Sequence, residues 1–205
     1  MQDYTPAFES ENFYHIYSHA VGSDNLFKED SNYVFFLSRF SKYINPVADT
    51  FAYCLMPNHF HFLIRLKNEN EINTVMQTVK SSGKKLNHEK FVSKQFSNLF
   101  SSYTQSYNKQ QNRKGNLFQK PFKRKHIRKD KYILNLIRYI HNNPVHHKFT
   151  DNFRSWKYSS YTGLLSDKKT NLMRNEVIEI FDGKDNFIYF HNDISEDEQF
   201  EYFED

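Results

Sequence analysis

The sequence contains a single cysteine, Cys54, and no apolar run of the roughly 18 residues that a membrane helix needs. One cysteine excludes an internal disulfide and a zinc site built from several cysteines. No glycine- or proline-rich linker divides the chain, and the first residues lack the basic flank and apolar stretch of a secretory signal. We therefore expect a soluble, cytoplasmic protein with no membrane contact and one sizeable core.

Charge is distributed unevenly along the chain. The formal net charge is +4, but residues 182–205 contain nine acids and one base and so carry −8. The preceding residues, 1–181, therefore carry +12. We predict a single basic domain over 1–181 and an acidic C-terminal tail, over 182–205, that is an appendage to it.

A basic stretch runs from Arg113 to Lys129 and contains no acid. Phe118 and Phe122 interleave with its bases, which suits stacking on unpaired nucleobases as well as neutralisation of phosphates. A solvated surface face would give the same charge pattern. We favour a nucleic-acid partner contacted by the eight bases of the stretch: Arg113, Lys114, Lys120, Lys123, Arg124, Lys125, Arg128 and Lys129.

Hydrophobic periodicity predicts four strands and at least four helices. We expect Pro144 to end the last helix, because proline lacks the backbone N–H that continues the hydrogen-bond ladder. This order of elements predicts an α+β fold, an antiparallel sheet with helices mainly on one face. The strands are predicted over 12–21, 50–56, 59–67 and 121–128, and the helices over 30–44, 69–108 in two or more pieces, and 130–143.

Two histidines, His59 and His61, begin the third predicted strand. Side chains alternate across a strand, so residues two apart face the same way and two imidazoles can share one metal ion. Such a pair is often only a polar face of a strand, and it supplies half of a metal site at most. The spacing therefore predicts a candidate metal site that needs further ligands from elsewhere.

The last predicted helix carries Tyr139 and Asn143 four residues apart, so a phenol and a carboxamide project together near its end. They could complete the candidate site. Equally, Tyr139 could be an ordinary aromatic residue at the edge of the core, and Asn143 a polar residue that accommodates Pro144 at a helix end. Tyr107 and Gln111 have the same spacing, and Tyr107 is our second choice for a nucleophile.

Four separated strings resemble one family, the REP-associated tyrosine transposases, which are single-tyrosine transposases of the HUH endonuclease superfamily. The order and spacing of the strings are more specific than any one of them, and together they cover roughly residues 10–165. The strings are LMPNHFH at 55–61, GNLFQKPFK at 115–123, RYIHNNPV at 138–145 and SWKYSSY at 155–161.

The resemblance implies an RNA-recognition-like or ferredoxin-like HUH fold. It also implies that His59, His61 and Asn143 are metal ligands and that Tyr139 is the nucleophile. Mg²⁺ or Mn²⁺ would suit such a site, and the cation Arg138 would favour the phenolate and contact DNA. The sequence departs from the family near Pro121, where relatives typically carry an arginine, so Lys120 or Lys123 would have to replace that phosphate contact.

The expected function is metal-dependent cleavage and strand transfer of hairpin-containing single-stranded DNA through a 5′-phosphotyrosine intermediate. Three alternatives remain at this point. The chain could be a non-catalytic module that binds single-stranded DNA or RNA, a relaxase or replication initiator that nicks DNA, or a protein with a structural zinc ion. Whether the protein is a monomer or a homodimer stays open.

Overall fold

A four-stranded antiparallel sheet forms the centre of the fold. The computed structural model describes residues 6–79, 87–128 and 130–192. A helix follows the first strand and helices precede the fourth, which is the connectivity of ferredoxin-like folds. The predicted α+β class and antiparallel sheet are therefore confirmed. The strands are β1 (Phe13–His19), β2 (Ala48–Leu55), β3 (His59–Leu66) and β4 (Lys123–Ile127), in the spatial order β2-β3-β1-β4.

The central strand β3 is almost entirely buried, and it carries apolar side chains on both faces. Leu63 belongs to a cluster on one face of the sheet. On the other face, alternate residues of the same strand belong to a second cluster, namely Phe60, Phe62, Ile64 and Leu66. Because a strand that is apolar on both faces must be covered twice, helices are required on both sides of this sheet.

Three helices cover the face that carries Phe60, and we call them the first layer: α1 (Asp30–Tyr43), α2 (Glu69–Thr78) and α3 (His88–Gln110). Helix α1 packs against α3. Each helix begins at a polar side chain that accepts a backbone N–H. Asn68 caps α2, Asn87 caps α3, and Glu29 forms a capping box at the start of α1.

Four helices cover the opposite face, and we call them the second layer: α4 (Asp130–His146), α5 (Tyr161–Leu165), α6 (Arg174–Ile180) and α7 (Lys184–Asn192). The expectation of helices mainly on one face was therefore wrong. Its cause lies in the strands, because Leu63 and Cys54 bury a second apolar surface that needs its own cover. Within the described residues, no helix is both long and apolar enough to cross a membrane.

Helix α4 continues past Pro144, contrary to the prediction that it ends there. Proline removes only the one hydrogen bond that its own N–H would donate, and the next turns are closed by other groups. Phe149 N donates to Pro144 O at 2.8 Å, and Lys148 N donates to Val145 O at 2.9 Å. Lys148 has a φ of 59°. This is a Schellman ending, so the chain leaves the helix at Lys148.

The SWKYSSY string at 155–161 lies along the outer edge of β2. Ser160 Oγ accepts Tyr53 N at 2.9 Å, and Trp156 Nε1 donates to Leu55 O at 3.0 Å. Leu55 N in turn donates to Tyr158 O at 3.0 Å. The string therefore satisfies backbone groups at an edge that would otherwise be open to other chains.

The first part of the acidic stretch 182–205 is helix α7. Its Phe187 is fully buried in the second-layer cluster, and His191 is buried beside it. The remainder of the predicted appendage, 193–205, lies outside the described residues. The interpretation as an appendage therefore now concerns only those last residues.

We expect Phe187→Ala to lower the free energy of unfolding by about 3–5 kcal/mol, because it leaves a cavity in a packed core. Tyr189 lies on the same helix and is 72% exposed, so Tyr189→Ala should change it by less than about 0.5 kcal/mol. Urea unfolding followed by circular dichroism measures both. Equal, small effects of the two substitutions would contradict the packing of α7.

Candidate functional site

The candidate site lies between β3 and α4. His59 Nε2 is 3.1 Å from Asn143 Oδ1, and the rings of His61 and Tyr139 meet edge to face with centroids 5.4 Å apart. All four residues are at most 3% exposed. The structure therefore brings together the two strand histidines and the two helix residues that the sequence singled out.

The proton of His59 can be assigned from its neighbours. His59 Nδ1 lies 2.7 Å from Asn58 Oδ1, an oxygen that only accepts, so Nδ1 carries the proton. Nε2 then presents a lone pair towards Asn143 Oδ1, a second acceptor. Two acceptors at this distance repel each other. The repulsion is removed if a cation lies between them, or if the side-chain amide of Asn143 is rotated by 180° so that Nδ2 faces His59.

The donor set fits a divalent cation. Asn143 Nδ2 is buried and has no hydrogen-bond partner among the described residues, and the amide oxygen is the atom turned towards His59. The described part of the chain contains no group of three or more His, Cys, Asp or Glu able to hold a metal. The candidate protein ligands are therefore two imidazoles and one amide oxygen, without a carboxylate.

Burial keeps both strand histidines neutral. It lowers the pKa of His59 to about 3. Burial, reinforced by the imidazole of His15, also holds the pKa of His61 well below its ordinary value. Neutral imidazole is the form that binds a metal, so the site needs no proton release from these rings at pH 7.

His15 is a residue of the site whose role could not be read from the sequence. Its Nε2 lies 2.9 Å from His61 Nδ1, and both side chains are buried. If His61 Nδ1 donates its proton to His15 Nε2, the Nε2 atom of His61 keeps a lone pair, as a metal ligand requires. His15 was readable as a strand residue, but nothing in the sequence showed that β1 lies beside β3 in this register.

Histidines surround the site more densely than the sequence suggested. The ring of His19 stacks on that of His59 at 4.7 Å, and the ring of His147 meets it edge to face at 4.6 Å. With His15 and His61, five of the ten histidines of the chain lie here. His147 is exposed, so it stands between the buried His59 and solvent.

Two of the predicted DNA contacts are occupied within the protein. Arg113 donates to Asp24 at 2.6 Å. Arg124 points to the first-layer face, where its guanidinium lies 4.0 Å from the ring centroid of Phe8 and its side chain is only 9% exposed. Lys129 lies outside the described residues. These contacts give Arg113 and Arg124 a structural role.

Other bases of the stretch face outwards or towards the site. In β4, Lys123 pairs with Tyr17 and Lys125 pairs with His15, so both side chains lie on the second-layer face with the histidines. Three further bases are exposed, namely Lys114, Lys120 and Arg128.

The second-choice nucleophile does not lie at this site. Tyr107 belongs to the first-layer cluster, on the opposite face of the sheet from Tyr139. Its hydroxyl donates to Asn25 O at 2.6 Å, and burial raises its pKa. The contact gives Tyr107 a packing role. Tyr139 lies beside His61, on whose ring Tyr17 of β1 also stacks, with centroids 5.7 Å apart.

Helix α4 is held from its other side by a buried polar chain. His141 Nδ1 lies 2.8 Å from His191 Nε2, and His141 Nε2 lies 2.7 Å from Ser160 Oγ. His191 Nδ1 donates to Phe187 O at 2.7 Å. Arg138, predicted to contact DNA, is also buried here at 2% exposure, with its guanidinium 5.5 Å from the ring centroid of Phe190.

Comparisons with known proteins find a relative by sequence and a similar solved structure. No protein-family model matches the chain. A protein of Haemophilus influenzae (strain ATCC 51907 / DSM 11121 / KW20 / Rd), provisionally named a REP-associated tyrosine transposase, is 30% identical over 115 residues. These residues are 55% of this chain, which spans only 58% of that relative.

A solved structure has a similar fold. It is a REP-associated tyrosine transposase bound to a REP hairpin, with a TM-score of 0.60 and 16% identity, and the match covers 82% of this chain and 87% of that one. At this identity the likeness shows the fold. Together the two comparisons show that the chain is similar in sequence to one protein of that name and similar in fold to another REP-associated tyrosine transposase.

The buried histidines predict a pH-dependent stability. Burial lowers the pKa of His191 to about 3, whereas an unfolded histidine titrates near 6.5. Below about pH 6.5 the unfolded chain takes up a proton that the folded protein does not, so this residue makes the folded state lose stability as the pH falls. Between pH 6 and 4, the free energy of unfolding of His191→Gln should fall by about 1 kcal/mol less per pH unit than that of the wild type.

Urea unfolding at several pH values measures this slope. Asn186→Gln, at an exposed position on the same helix, is the control, because it replaces one uncharged amide with another and should retain the slope of the wild type. An unchanged slope in His191→Gln would contradict a buried, neutral histidine at this position.

Proposed function

We propose that the protein is a metal-dependent single-strand DNA endonuclease and strand transferase, a REP-associated tyrosine transposase in which Tyr139 is the nucleophile. The observation that carries the proposal is the meeting of α4 with β3. Asn143 lies 3.1 Å from His59 and Tyr139 packs against His61, on a buried face where polar side chains converge. Converging polar groups in a covered site are typical of catalysis.

The residues proposed to hold the cation are His59, His61 and Asn143, and Mg²⁺ or Mn²⁺ are the ions we expect. When bound, a divalent ion polarises a phosphate and stabilises the charge that develops on its oxygens. His15 keeps His61 oriented, and Asn58 keeps His59 oriented, so that His59 directs Nε2 towards Asn143 of α4. This pre-arrangement reduces the reorganisation that cleavage would otherwise require.

Tyr139 would attack the scissile phosphorus with its phenol oxygen. The new bond joins the tyrosine to the 5′ phosphate, the bond to the 3′ oxygen breaks, and that oxygen leaves as a free hydroxyl once it has taken up a proton. The tyrosine loses its own proton in the process. Because the phosphotyrosine ester conserves the energy of the phosphodiester, a DNA hydroxyl can reverse the attack and complete strand transfer.

The bases on the second-layer face suggest where the backbone of the DNA runs. Lys123 and Lys125 lie on the same face as the histidines, and Lys114, Lys120 and Arg128 are exposed nearby in the sequence. Lysines contact phosphates without reading sequence. The relative solved with a REP hairpin supports a hairpin as the substrate, and we propose that unpaired bases flank it.

Access to the site requires local movement. Tyr139 and its three neighbours are at most 3% exposed, so a phosphate cannot reach them with every side chain in place. The exposed His147, whose ring is 4.6 Å from that of His59, is the side chain we expect to move. The same burial is the one observation that favours the alternative function, a module that binds single-stranded nucleic acid without cutting it.

Tyr139→Phe tests the nucleophile. It should abolish a covalent DNA adduct, because no phenol oxygen remains, and should leave DNA affinity within about twofold, because the ring is retained. The measurement is denaturing gel electrophoresis of protein incubated with labelled hairpin DNA and Mn²⁺, alongside fluorescence anisotropy for binding.

Tyr107→Phe is the matched control, since it removes a hydroxyl from a buried tyrosine on the opposite face. It should retain the adduct. An undiminished adduct in Tyr139→Phe would overturn the assignment, and binding by the wild type without any adduct would favour the non-catalytic module.

His15→Ala and Asn143→Ala test the metal site without relying on activity. Each should weaken Mn²⁺ binding by about tenfold or more, the first by releasing the orientation of His61 and the second by removing a ligand. Isothermal titration calorimetry on the intact protein measures the affinity.

The control for these variants is His126→Ala. His126 lies in β4, but its ring stacks on Tyr14 on the first-layer face. Its replacement should leave Mn²⁺ affinity unchanged. Equal affinities in wild type, His15→Ala and Asn143→Ala would exclude this site as the place where the ion binds.

A further inference from the structure

An exposed aromatic side chain lies at the rim of the candidate site. Phe149 is 37% exposed, and its ring centroid is 6.4 Å from that of His59. Large apolar side chains that are exposed usually need no explanation when they stand alone. Phe149 does not stand alone, because it adjoins a buried cluster of polar side chains and the indole of Trp156, whose ring centroid is 6.1 Å away.

The backbone fixes Phe149 in place. Its N–H donates to Pro144 O at 2.8 Å in the Schellman ending of α4, next to the left-handed Lys148. Trp156 beside it is anchored by the hydrogen bond from its Nε1 to Leu55 O. An aromatic ring held by a helix ending and a neighbouring anchored indole loses little further freedom when a ligand stacks on it.

The chain segment around Phe149 is weakly basic. It contains the exposed cations Lys148 and Arg154 against one exposed acid, Asp151, whereas a third base, Lys157, forms an ion pair with Asp30. A ligand with a flat apolar face and a negatively charged backbone complements an exposed ring in such a setting. An acidic or apolar peptide would supply only one of these two features.

We propose that Phe149 is a stacking platform for an unpaired nucleobase next to the scissile phosphate. The inference rests on the proposed function and adds a specificity element to it. A base inside a duplex is already stacked on both faces, so only an unpaired base can use this ring. The platform would therefore select single-stranded DNA at the cleavage position, where the lysines of β4 contact the backbone whatever its sequence.

The platform also gives a role to the turn that follows α4. His147 and Phe149 lie on either side of Lys148, and both rings adjoin that of His59. A base stacked on Phe149 would draw the strand to the same rim that a phosphate must cross to reach Tyr139. Binding energy from the base would thus position the phosphate.

The experiment uses the full chain carrying Tyr139→Phe, so that binding is observed without cleavage. The probe is a DNA hairpin with unpaired flanks in which 2-aminopurine, whose fluorescence is quenched by stacking, replaces one flank base at a time. We expect quenching at one flank position. Adding Phe149→Ala should abolish that quenching and weaken binding by about tenfold, whereas Phe149→Trp should retain both.

Tyr189→Ala is the matched control, because Tyr189 is a more exposed aromatic on α7. It should change neither signal. Equal quenching and affinity with and without Phe149→Ala would overturn the platform while leaving the proposed function intact. If the hairpin does not bind at all, with or without Mn²⁺, the proposed function fails and the platform fails with it.

Discussion

The packing of α4 against the histidine face of β3 is the interaction on which the candidate site depends. It places Asn143 against His59 and Tyr139 against His61, and it buries all four side chains. Burying neutral polar groups is costly unless their lone pairs and protons are matched. A facing pair of acceptors, Nε2 of His59 and Oδ1 of Asn143, is the kind of mismatch that a bound cation would resolve.

The rest of the second layer holds α4 in this position. His141, two residues from both Tyr139 and Asn143, is fixed by Ser160 and by His191 of α7. Ser160 belongs to a segment that is itself bonded to the backbone of β2. Helix α4 is thus tied to the sheet edge on one side and to α7 on the other, although these segments are far apart in sequence.

Local sequence rules predicted most of the elements and could not predict their partners. Alternation correctly put His59 and His61 on one face, and helical spacing correctly grouped Tyr139 with Asn143.

Strand pairing is not local, so the contact between His15 and His61 had no signal in the sequence. Pro144 misled because it removes only the hydrogen bond that its own N–H would donate, and the helix continues to a Schellman ending at Lys148. The basic stretch looked uniform, yet alternation along β4 separates Arg124 from Lys125 and leaves them on opposite faces.

Crystals of the protein soaked in Mn²⁺ show directly, through the anomalous scattering of manganese, whether β3 and α4 together hold a cation. We expect one strong anomalous peak bounded by the Nε2 atoms of His59 and His61 and the Oδ1 atom of Asn143, with the phenol oxygen of Tyr139 turned towards it. Absence of anomalous signal there at saturating Mn²⁺, or a peak held by other residues alone, would contradict a metal site between these two elements.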